Sequence, residues 1–244
     1  MKDLTRTFLR SLSIQSSWNF RRMQNLGFAY AMIPTIEKLG KDRNAISRML
    51  TRHLQPFNTH PCMSAAIIGS VVKLEENLSG IDDYAEVDAL KKTLMAPYAA
   101  MGDSLFWGAL KPFAAALAVL LALKGFLIAP LALVLVYNAF HFLVRIKGFE
   151  EGYRTGKGGI DFIRKLNLPQ MSRRIRWMSV VLLGIFSAVV SRGTDAGVFG
   201  PHRIIGGVFV FVIILVMYWL IREGISSLKL LYGFSILFIL VAMW

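Results

Sequence analysis

The stretch APYAAMGDSLFWGALKP, Ala96 to Pro112, decides how the rest of the chain is interpreted. It places Asp103 between a small Ala/Gly-rich apolar run and the large apolar run Leu105-Phe106-Trp107. Together these runs are too short to cross a bilayer, which takes about 20 apolar residues, and too apolar for a surface loop. Non-helical backbone at membrane depth is tolerated only where it is buried in protein or lines a cavity. The pattern predicts a re-entrant segment with a helix break at 102–104 inside a permeation pathway.

The same residues allow a second interpretation. Asp103 or Ser104 can cap a helix that begins at Leu105, because a short oxygen-bearing side chain satisfies the unpaired N–H groups of a first helical turn. In that case neither residue has a role in transport. The sequence leaves both interpretations open.

Apolar residues are gathered into blocks rather than spread along amphipathic periods. Of the 244 residues, 55% are hydrophobic, and the main blocks are Pro112 to Val144, Trp177 to Val190, Ile204 to Ile221 and Leu228 to Trp244. The second and fourth blocks are short for a bilayer. We therefore expect an all-α polytopic membrane protein with about four crossings in residues 113–244, some of them tilted or broken.

The charge distribution predicts the topology. The formal net charge of +13 could indicate a nucleic-acid partner. However, ten Lys/Arg precede His53 and nine lie between Arg145 and Arg176, whereas the gap 191–203 holds only Arg192 and Arg203. Flanking positive charge is typical of cytoplasmic segments of membrane proteins. We expect residues before His53 and the basic loop 145–176 to be cytoplasmic, 191–203 to be external, and no nucleic-acid partner.

The N-terminal part, residues 1–62, is predicted to form amphipathic helices at the cytoplasmic face or the membrane surface. In the segment Trp18 to Leu39 basic and apolar residues share the same turns, and Pro34 would bend the helix. A second amphipathic helix follows, with apolar residues three and four apart from Ile46 onward, and it should end at Leu54 or Gln55 because Pro56 follows.

Residues 63–112 are predicted to contain broken or re-entrant elements. The polar kink Asn58-Thr59-His60 precedes the short apolar run Met63 to Val72. The acidic segment Lys73 to Lys92 is interpreted as a solvated connector or helix pair in preference to a metal site. Further on, Lys124-Gly125 and Pro130 should separate a half-helix from a full crossing.

No catalytic constellation is found in the sequence. The four histidines lack the spacing of a zinc site, and no Gly-x-Ser-x-Gly elbow occurs. Asn138 and His141 lie three apart on one predicted helix face, which favours interhelical hydrogen bonds over ligand binding. We expect no catalytic residue, no cofactor and no metal.

Several long motifs resemble one known family. They are SSWNFRRMQNLGFAYAMIPTIEKL (Ser17 to Leu39), RHLQPFNTHP (Arg52 to Pro61), LEE (Leu74 to Glu76), GDSLFWGALKP (Gly102 to Pro112) and GYRTG (Gly152 to Gly156). In this order they are similar to the IID membrane subunit of the mannose/fructose/sorbose family of the bacterial phosphoenolpyruvate-dependent sugar phosphotransferase system. The resemblance covers about the first two thirds of the chain.

The resemblance implies a function. In that family a IID subunit pairs with a IIC subunit in the bacterial inner membrane, and the soluble IIA and IIB proteins carry the phosphoryl group to the entering sugar. It further implies one IID-type domain over residues 1–244, higher-order assembly of IIC–IID pairs, and a sugar at the subunit boundary. On the family pattern, the candidate sugar-binding residues are Asn58, Thr59, His60, Gly102, Asp103 and Ser104.

One departure from the family pattern concerns residues 191–203, where many members carry a longer polar insertion. A role of that region in partner contacts is therefore not carried over.

Two rival functions remain at the level of sequence. One is a membrane enzyme with Asp103 and His60 as an acid/base pair, and the other is a IID-like regulatory or scaffolding protein without transport.

Overall fold

The computed structural model describes residues 2–78, 84–156, 167–193 and 203–242. In these ranges the regular elements are helical: α1 (Lys2–Ser11), α2 (Asn25–Leu39), α3 (Arg43–His53), α4 (Ser64–Asn77), α5 (Tyr84–Gly102), a π-helix (Asp103–Leu110), α6 (Lys111–Leu123), α7 (Ala129–Thr155), α8 (Leu168–Gly193), α9 (Arg203–Arg222) and α10 (Ser227–Ala242). The chain divides into two compact units, Met1–Leu183 and Gly184–Trp244. The candidate site lies in the first.

The core of the first unit is built on close packing of α4 against α7. A methyl group added at Gly69 would lie 3.0 Å from the backbone nitrogen of Tyr153, and one added at Gly152 would lie 3.0 Å from that of Ser70. Gly148 and Gly152 are four residues apart, so they present one smooth helix face. Small residues at this spacing allow two helix backbones to approach closely, as in membrane helix pairs.

Helix α2 is more deeply buried than its sequence predicts. Nine of its fifteen residues are buried, including Phe28, Met32 and Ile36. Helices α1, α3 and α4 all pack against it, so α2 is a core element of the first unit, and its location at the membrane surface stays a prediction. Pro34 lies inside the helix without ending it. By contrast, α3 runs from Arg43 to His53 with Leu54 as its C-cap, which confirms the predicted amphipathic helix and its end.

The chain stays helical through the segment in which we expected a break. Helix α5, the π-helix and α6 follow without interruption, and Lys111 donates its backbone N–H to the carbonyl of Phe106, five residues earlier. A π-helix accommodates one extra residue per turn and keeps its backbone groups paired. The non-helical break at 102–104 is thus replaced by a change of helix type. No side-chain cap is formed at the start of the π-helix or of α6, so the capping role considered for Asp103 and Ser104 is also not observed.

Two described helices are long and apolar enough to cross a membrane, the run Ala85–Leu123 and α7. They are separated at Lys124–Ile128, where Gly125 has a φ of +80°, and Pro130 lies in the first turn of α7. This is the predicted separation. In the second unit, α9 and α10 contain the shorter apolar stretches Phe211–Arg222 and Leu228–Leu237.

The basic segment 145–176 is helical at both ends. Helix α7 continues to Thr155, and α8 begins at Leu168. The charged residues at 145–154 and 173–176 therefore lie on these two helices, and residues 157–166 lie outside the described residues. Most of the short segment 191–203, the departure from the family pattern, also lies outside them.

Candidate functional site

The Asn58–His60 turn connects α3 to α4 and is clamped by Gln24. The side-chain amide of Gln24 donates to the carbonyl of Thr59 at 2.7 Å and accepts the N–H of Thr59 at 3.1 Å. The backbone of Gln24 also donates to the carbonyl of Phe57 at 2.8 Å. These three bonds hold the turn as a neighbouring strand would, so its backbone groups are paired although it is not helical.

Helix α5 fixes the other side of the turn through Met95. The Thr59 hydroxyl donates to the carbonyl of Met95 at 3.2 Å, and the N–H of Asn58 donates to its sulfur at 3.3 Å. Thr59 is buried, whereas Asn58 is exposed. The turn is therefore rigid at Thr59 and presents the Asn58 amide outward.

His60 lies directly against Gly102. A methyl group at Gly102 would overlap Cβ of His60 and lie 2.9 Å from its Nδ1. Because the φ of Gly102 is −64°, an ordinary helical value, glycine is required here by space and not by backbone conformation. This contact joins the two predicted elements of the site.

The His60 ring is enclosed by aromatic residues of the π-helix. It stacks on Phe106 with centroids 5.1 Å apart and an interplanar angle of 11°, and it meets Trp107 edge-on at 4.9 Å. Phe106 is fully buried, whereas Trp107 is 53% exposed. Phe106 is thus a packing surface for the imidazole, and Trp107 forms the rim.

His60 is a neutral imidazole with one unused donor. Burial lowers its pKa to about 4, and the nearby His141 and Arg145 act in the same direction. Its Nδ1 accepts the backbone N–H of Cys62 at 3.2 Å, so in the neutral ring the proton is on Nε2. Nε2 is buried and has no hydrogen-bond partner among the described residues. A buried donor without a partner is costly, and a ligand hydroxyl would supply one.

The six predicted site residues are placed unequally. Thr59, His60 and Gly102 are buried, Ser104 is half-buried, and Asn58 and Asp103 are exposed. The structure brings His60 and Gly102 into contact. Gln24, Met95, Phe106 and Trp107 complete the arrangement and were not singled out from sequence. Trp107 is the one that the sequence could have indicated, because it follows Asp103 by four residues and so lies near it along a helical run.

Arg145 of α7 ties the turn to the N-terminal helix. Its guanidinium donates to the carbonyl of Pro61 at 2.7 Å and to that of Ser11 at 3.2 Å, and the residue is 2% exposed. Pro61 stands between His60 and Cys62. Arg145 therefore holds the carbonyl next to His60 from a third direction.

A second polar cluster lies at the end of α3. Glu75 of α4 forms an ion pair with Arg52, and its carboxylate lies 3.1 Å from Nε2 of His53. Glu75 and His53 are fully buried. The acidic segment from Lys73 to Lys92 is therefore not solvated throughout, as its sequence suggested, because Glu75 is turned into the core to meet basic side chains of α3.

Asn138 and His141 bond to each other rather than between helices. The Nδ1 of His141 and the Oδ1 of Asn138 are 3.3 Å apart, and the Asn138 amide also donates to the carbonyl of Val134. Interhelical bonding of this pair was the wrong expectation. Among the described residues, no group of three or more His, Cys, Asp or Glu side chains is placed to hold a metal ion.

The described residues form helices, two of them long and apolar enough to cross a membrane, and a polar turn packs against the π-helix; this is the architecture of a helical membrane protein. The sequence profile of the PTS system mannose/fructose/sorbose family IID component matches residues 1–244. The chain belongs to that family and is a membrane subunit of a sugar phosphotransferase system.

Relatives with different sugars in their names are about equally similar. The chain is 31% identical to the mannose-specific EIID component of Escherichia coli (strain K12), covering 96% of this chain and 90% of the relative. It is also 31% identical to the fructose permease IID component of Bacillus subtilis, over 98% and 94% of the two chains. The sorbose-specific EIID component of Klebsiella pneumoniae is 34% identical over 80% and 71%.

Two solved structures share the fold. One is a chain of the cryo-EM structure of the mannose transporter ManYZ with microcin E492, with a TM-score of 0.62 and 29% identity over 98% of this chain and 94% of that chain. The other is described as a membrane protein, with a TM-score of 0.74 and 30% identity over 98% and 95%.

Proposed function

We propose that this chain and a IIC subunit together form the translocation unit for a hexose-type sugar in the bacterial inner membrane. The sugar is phosphorylated by the soluble IIB protein as it enters, with IIA supplying the phosphoryl group. The family, which includes a relative solved as part of the mannose transporter ManYZ, supports this assignment. In this proposal the chain acts as one IID-type domain, carries no phosphorylated residue, and assembles as higher-order oligomers of IIC–IID pairs.

The observation that carries the sugar site is the contact of His60 with Gly102. It brings a non-helical turn and a π-helix together and leaves one buried N–H without a partner. Discontinuous helical elements at membrane depth commonly hold transported substrates, because their polar groups can reach a cavity. We place the sugar beside His60 Nε2, with Asn58, Asp103 and Trp107 as exposed neighbours and Thr59, Gly102 and Ser104 as the supporting frame.

The length of the α5–π–α6 run supports a position of the π-helix inside the membrane. Its 39 residues would extend about 58 Å as a straight helix, nearly twice the roughly 30 Å of a hydrocarbon core. In this proposal the charged start of α5, with Glu86, Asp88, Lys91 and Lys92, lies outside the core, and the π-helix lies within it. We propose that this run and α7 form the re-entrant or tilted elements that line the sugar path.

The alternative is a IID-like regulatory or scaffolding chain without transport. A scaffold does not need a buried histidine with an unused donor, which is costly unless a partner or ligand meets it. That feature favours transport. The acid/base enzyme is favoured by no observation, since Asp103 is exposed and His60 is buried.

The test is reconstitution. Vesicles containing this chain and a IIC subunit should take up sugar when phosphorylated IIB is present, and either membrane subunit alone should be inactive. Sugar phosphorylation by this chain alone, or uptake by IIC without it, would contradict the proposal. The mass of the purified assembly in mild detergent tests the proposed oligomer.

A further inference from the structure

Five charged side chains meet where α3, α4 and the start of α5 come together. Glu75 is paired with Arg52, and Asp88 is paired with Lys92 at 2.6 Å. Lys91 is the fifth charged side chain, and no carboxylate lies within 4 Å of its ammonium in the part of the chain that the structure describes. With each carboxylate matched to its own cation, Lys91 leaves the cluster one positive charge in excess.

The neighbouring histidine does not alter this balance. His53 also faces Glu75, but burial lowers its pKa, as do Lys91 and Arg52, against the opposing effect of Glu75. It is therefore neutral at physiological pH. The excess positive charge belongs to Lys91.

Lys91 is buried, and its ammonium has no hydrogen-bond partner among the described residues. The residue is 1% exposed, and its Nζ lies 4.8 Å from the centroid of the Phe28 ring. An aromatic face stabilises an ammonium through its electrostatic attraction for a cation. It does not replace the oxygen acceptors that the three N–H donors of the ammonium require. A buried ammonium in this state lacks an acceptor.

A cavity lies beside Lys91. It measures about 270 Å³ and is lined by Arg52, Gln55, Ala85, Val87, Asp88 and Lys91. Two of these side chains are cations: Arg52, whose charge Glu75 balances, and Lys91, which has no ion pair among the described residues. Gln55 adds an amide with two donors, so hydrogen-bond donors outnumber acceptors. Asp88 is the one acidic lining group, and Lys92 already pairs with it. Donors that converge on a pocket with excess positive charge suit an oxyanion.

The pocket is one helical turn from the proposed sugar site. Lys91 and Met95 are four residues apart, which places them on the same face of α5 at a rise of about 6 Å. Met95 is the residue that accepts hydrogen bonds from Asn58 and Thr59. A sugar leaving that turn along this face would meet Lys91 next, toward the side that the positive charge marks as cytoplasmic.

We propose that Lys91 and Arg52, with Gln55, form a transient binding site for the phosphate group of the phosphorylated sugar. This inference rests on the proposed function, because a phosphotransferase system releases its substrate inward as a phosphate monoester. The dianion supplies the oxygen acceptors that Lys91 lacks. The neutral sugar has no such attraction for the site, so the site favours release of the phosphorylated product.

The test measures binding of ³²P-labelled inorganic phosphate and of mannose 6-phosphate to the purified IIC–IID complex, with unphosphorylated mannose as the uncharged comparison. Lys91→Met keeps the aliphatic stem against Phe28 and removes the charge. We expect it to weaken binding of both phosphates at least tenfold and to leave mannose binding unchanged. Lys41→Met is the control, because Lys41 is an exposed lysine that does not line the cavity; it should bind phosphate normally.

Three results would overturn the inference. The first is equal phosphate binding by wild type and Lys91→Met. The second is a marked drop in the melting temperature of Lys91→Met, since removing a buried charge without an ion-pair partner should leave stability unchanged or raise it. The third result comes from the IIC–IID complex in lipid nanodiscs. If phosphate binding is lost when neutral lipid is replaced by phosphatidylglycerol, the lipid headgroup competes for the site and is its occupant.

Failure of the proposed function has a different signature. If the wild-type complex binds mannose 6-phosphate through Lys91 but vesicles show no uptake, the transport assignment fails and the phosphate site stands. If uptake proceeds normally and no phosphate binding is detected, the transport assignment stands and the phosphate site fails.

Discussion

The imidazole of His60 fills the space that a side chain on residue 102 would occupy. This single contact joins a turn that Gln24 and Met95 hold in place to a π-helix that carries Asp103 and Trp107. Both partners are close to fixed, since His60 is also stacked on Phe106. A change on either side of the contact therefore acts on the geometry of the whole site.

Gly102→Ala should disrupt this contact. The added methyl group overlaps the base of the His60 side chain, which cannot rotate away, and overpacking of this kind costs about 1–3 kcal/mol. We expect a lower melting temperature of the IIC–IID complex and reduced sugar uptake. Gly184→Ala is the control, because nothing lies within 4 Å of its added methyl group. Unchanged melting and uptake in Gly102→Ala would show that the contact is loose.

Asp103→Asn tests a direct role of the carboxylate. Asp103 is exposed and makes no capping bond, so the loss of charge should leave the fold intact. If the carboxylate accepts sugar hydroxyls, uptake should fall by about tenfold to a hundredfold at unchanged protein abundance and unchanged IIC association. Glu150→Gln, which removes another exposed carboxylate, is the control. Full activity of Asp103→Asn combined with His60→Gln would remove both residues from the site.

The stability of the protein should depend on pH through His60. Its pKa is lowered from 6.5 to about 4 in the folded state. Between these pH values the His60 side chain binds more protons in the unfolded chain than in the folded one. The contribution of His60 to the free energy of unfolding is therefore constant above about pH 6.5 and decreases as the pH drops toward 4. His60→Gln should reduce this fall. The measurement is the melting temperature against pH, and the difference between variant and wild type is the relevant quantity, because His53 also has a lowered pKa. Parallel curves would contradict the burial of a neutral His60.

Arg145→Met should loosen the turn from behind. It removes the guanidinium donors to the carbonyls of Pro61 and Ser11, which keep only the Ser64 hydroxyl and the Ile14 N–H, and a hydrogen bond from a charged group contributes roughly 1.5–3 kcal/mol. We expect faster proteolysis near the N-terminus and weaker sugar binding. Arg145→Lys should recover part of both, because lysine keeps the positive charge but cannot donate to two carbonyls from one planar guanidinium. Arg154→Met is the control, since Arg154 pairs with Glu151 at the surface. Equal effects of the two methionine variants would exclude a specific role.

The topology can be measured by cysteine labelling from outside the cell. Cys62 is buried, and burial raises the pKa of its thiol to about 11, so it should react slowly with labelling reagents. Replacing it with serine leaves a protein without cysteine, into which single cysteines can be introduced. The positive-inside distribution predicts that Lys147→Cys is protected and Thr194→Cys is labelled, although Thr194 lies outside the described residues. Strong external labelling at Lys147→Cys and none at Thr194→Cys would invert the topology.

The sequence by itself determined the class of the protein. Helical apolar blocks, the end of α3 before Pro56 and the separation at Lys124–Gly125 follow from local rules, because proline, glycine and periodicity act within a few residues. The motifs around Asn58–His60 and Gly102–Ser104 indicated the family and marked two elements of the site. All of this information is contained in neighbouring residues.

Only the tertiary structure decided how those elements meet. Whether Gly102–Ser104 forms a break, a cap or a π-helix depends on what packs against it, and the partner, His60, is about 40 residues away in the chain. The same reason explains why Gln24, Arg145 and Lys91 were not identified in advance. A buried amide or cation looks like an ordinary surface residue until the distant carbonyls, rings and carboxylates that surround it are known.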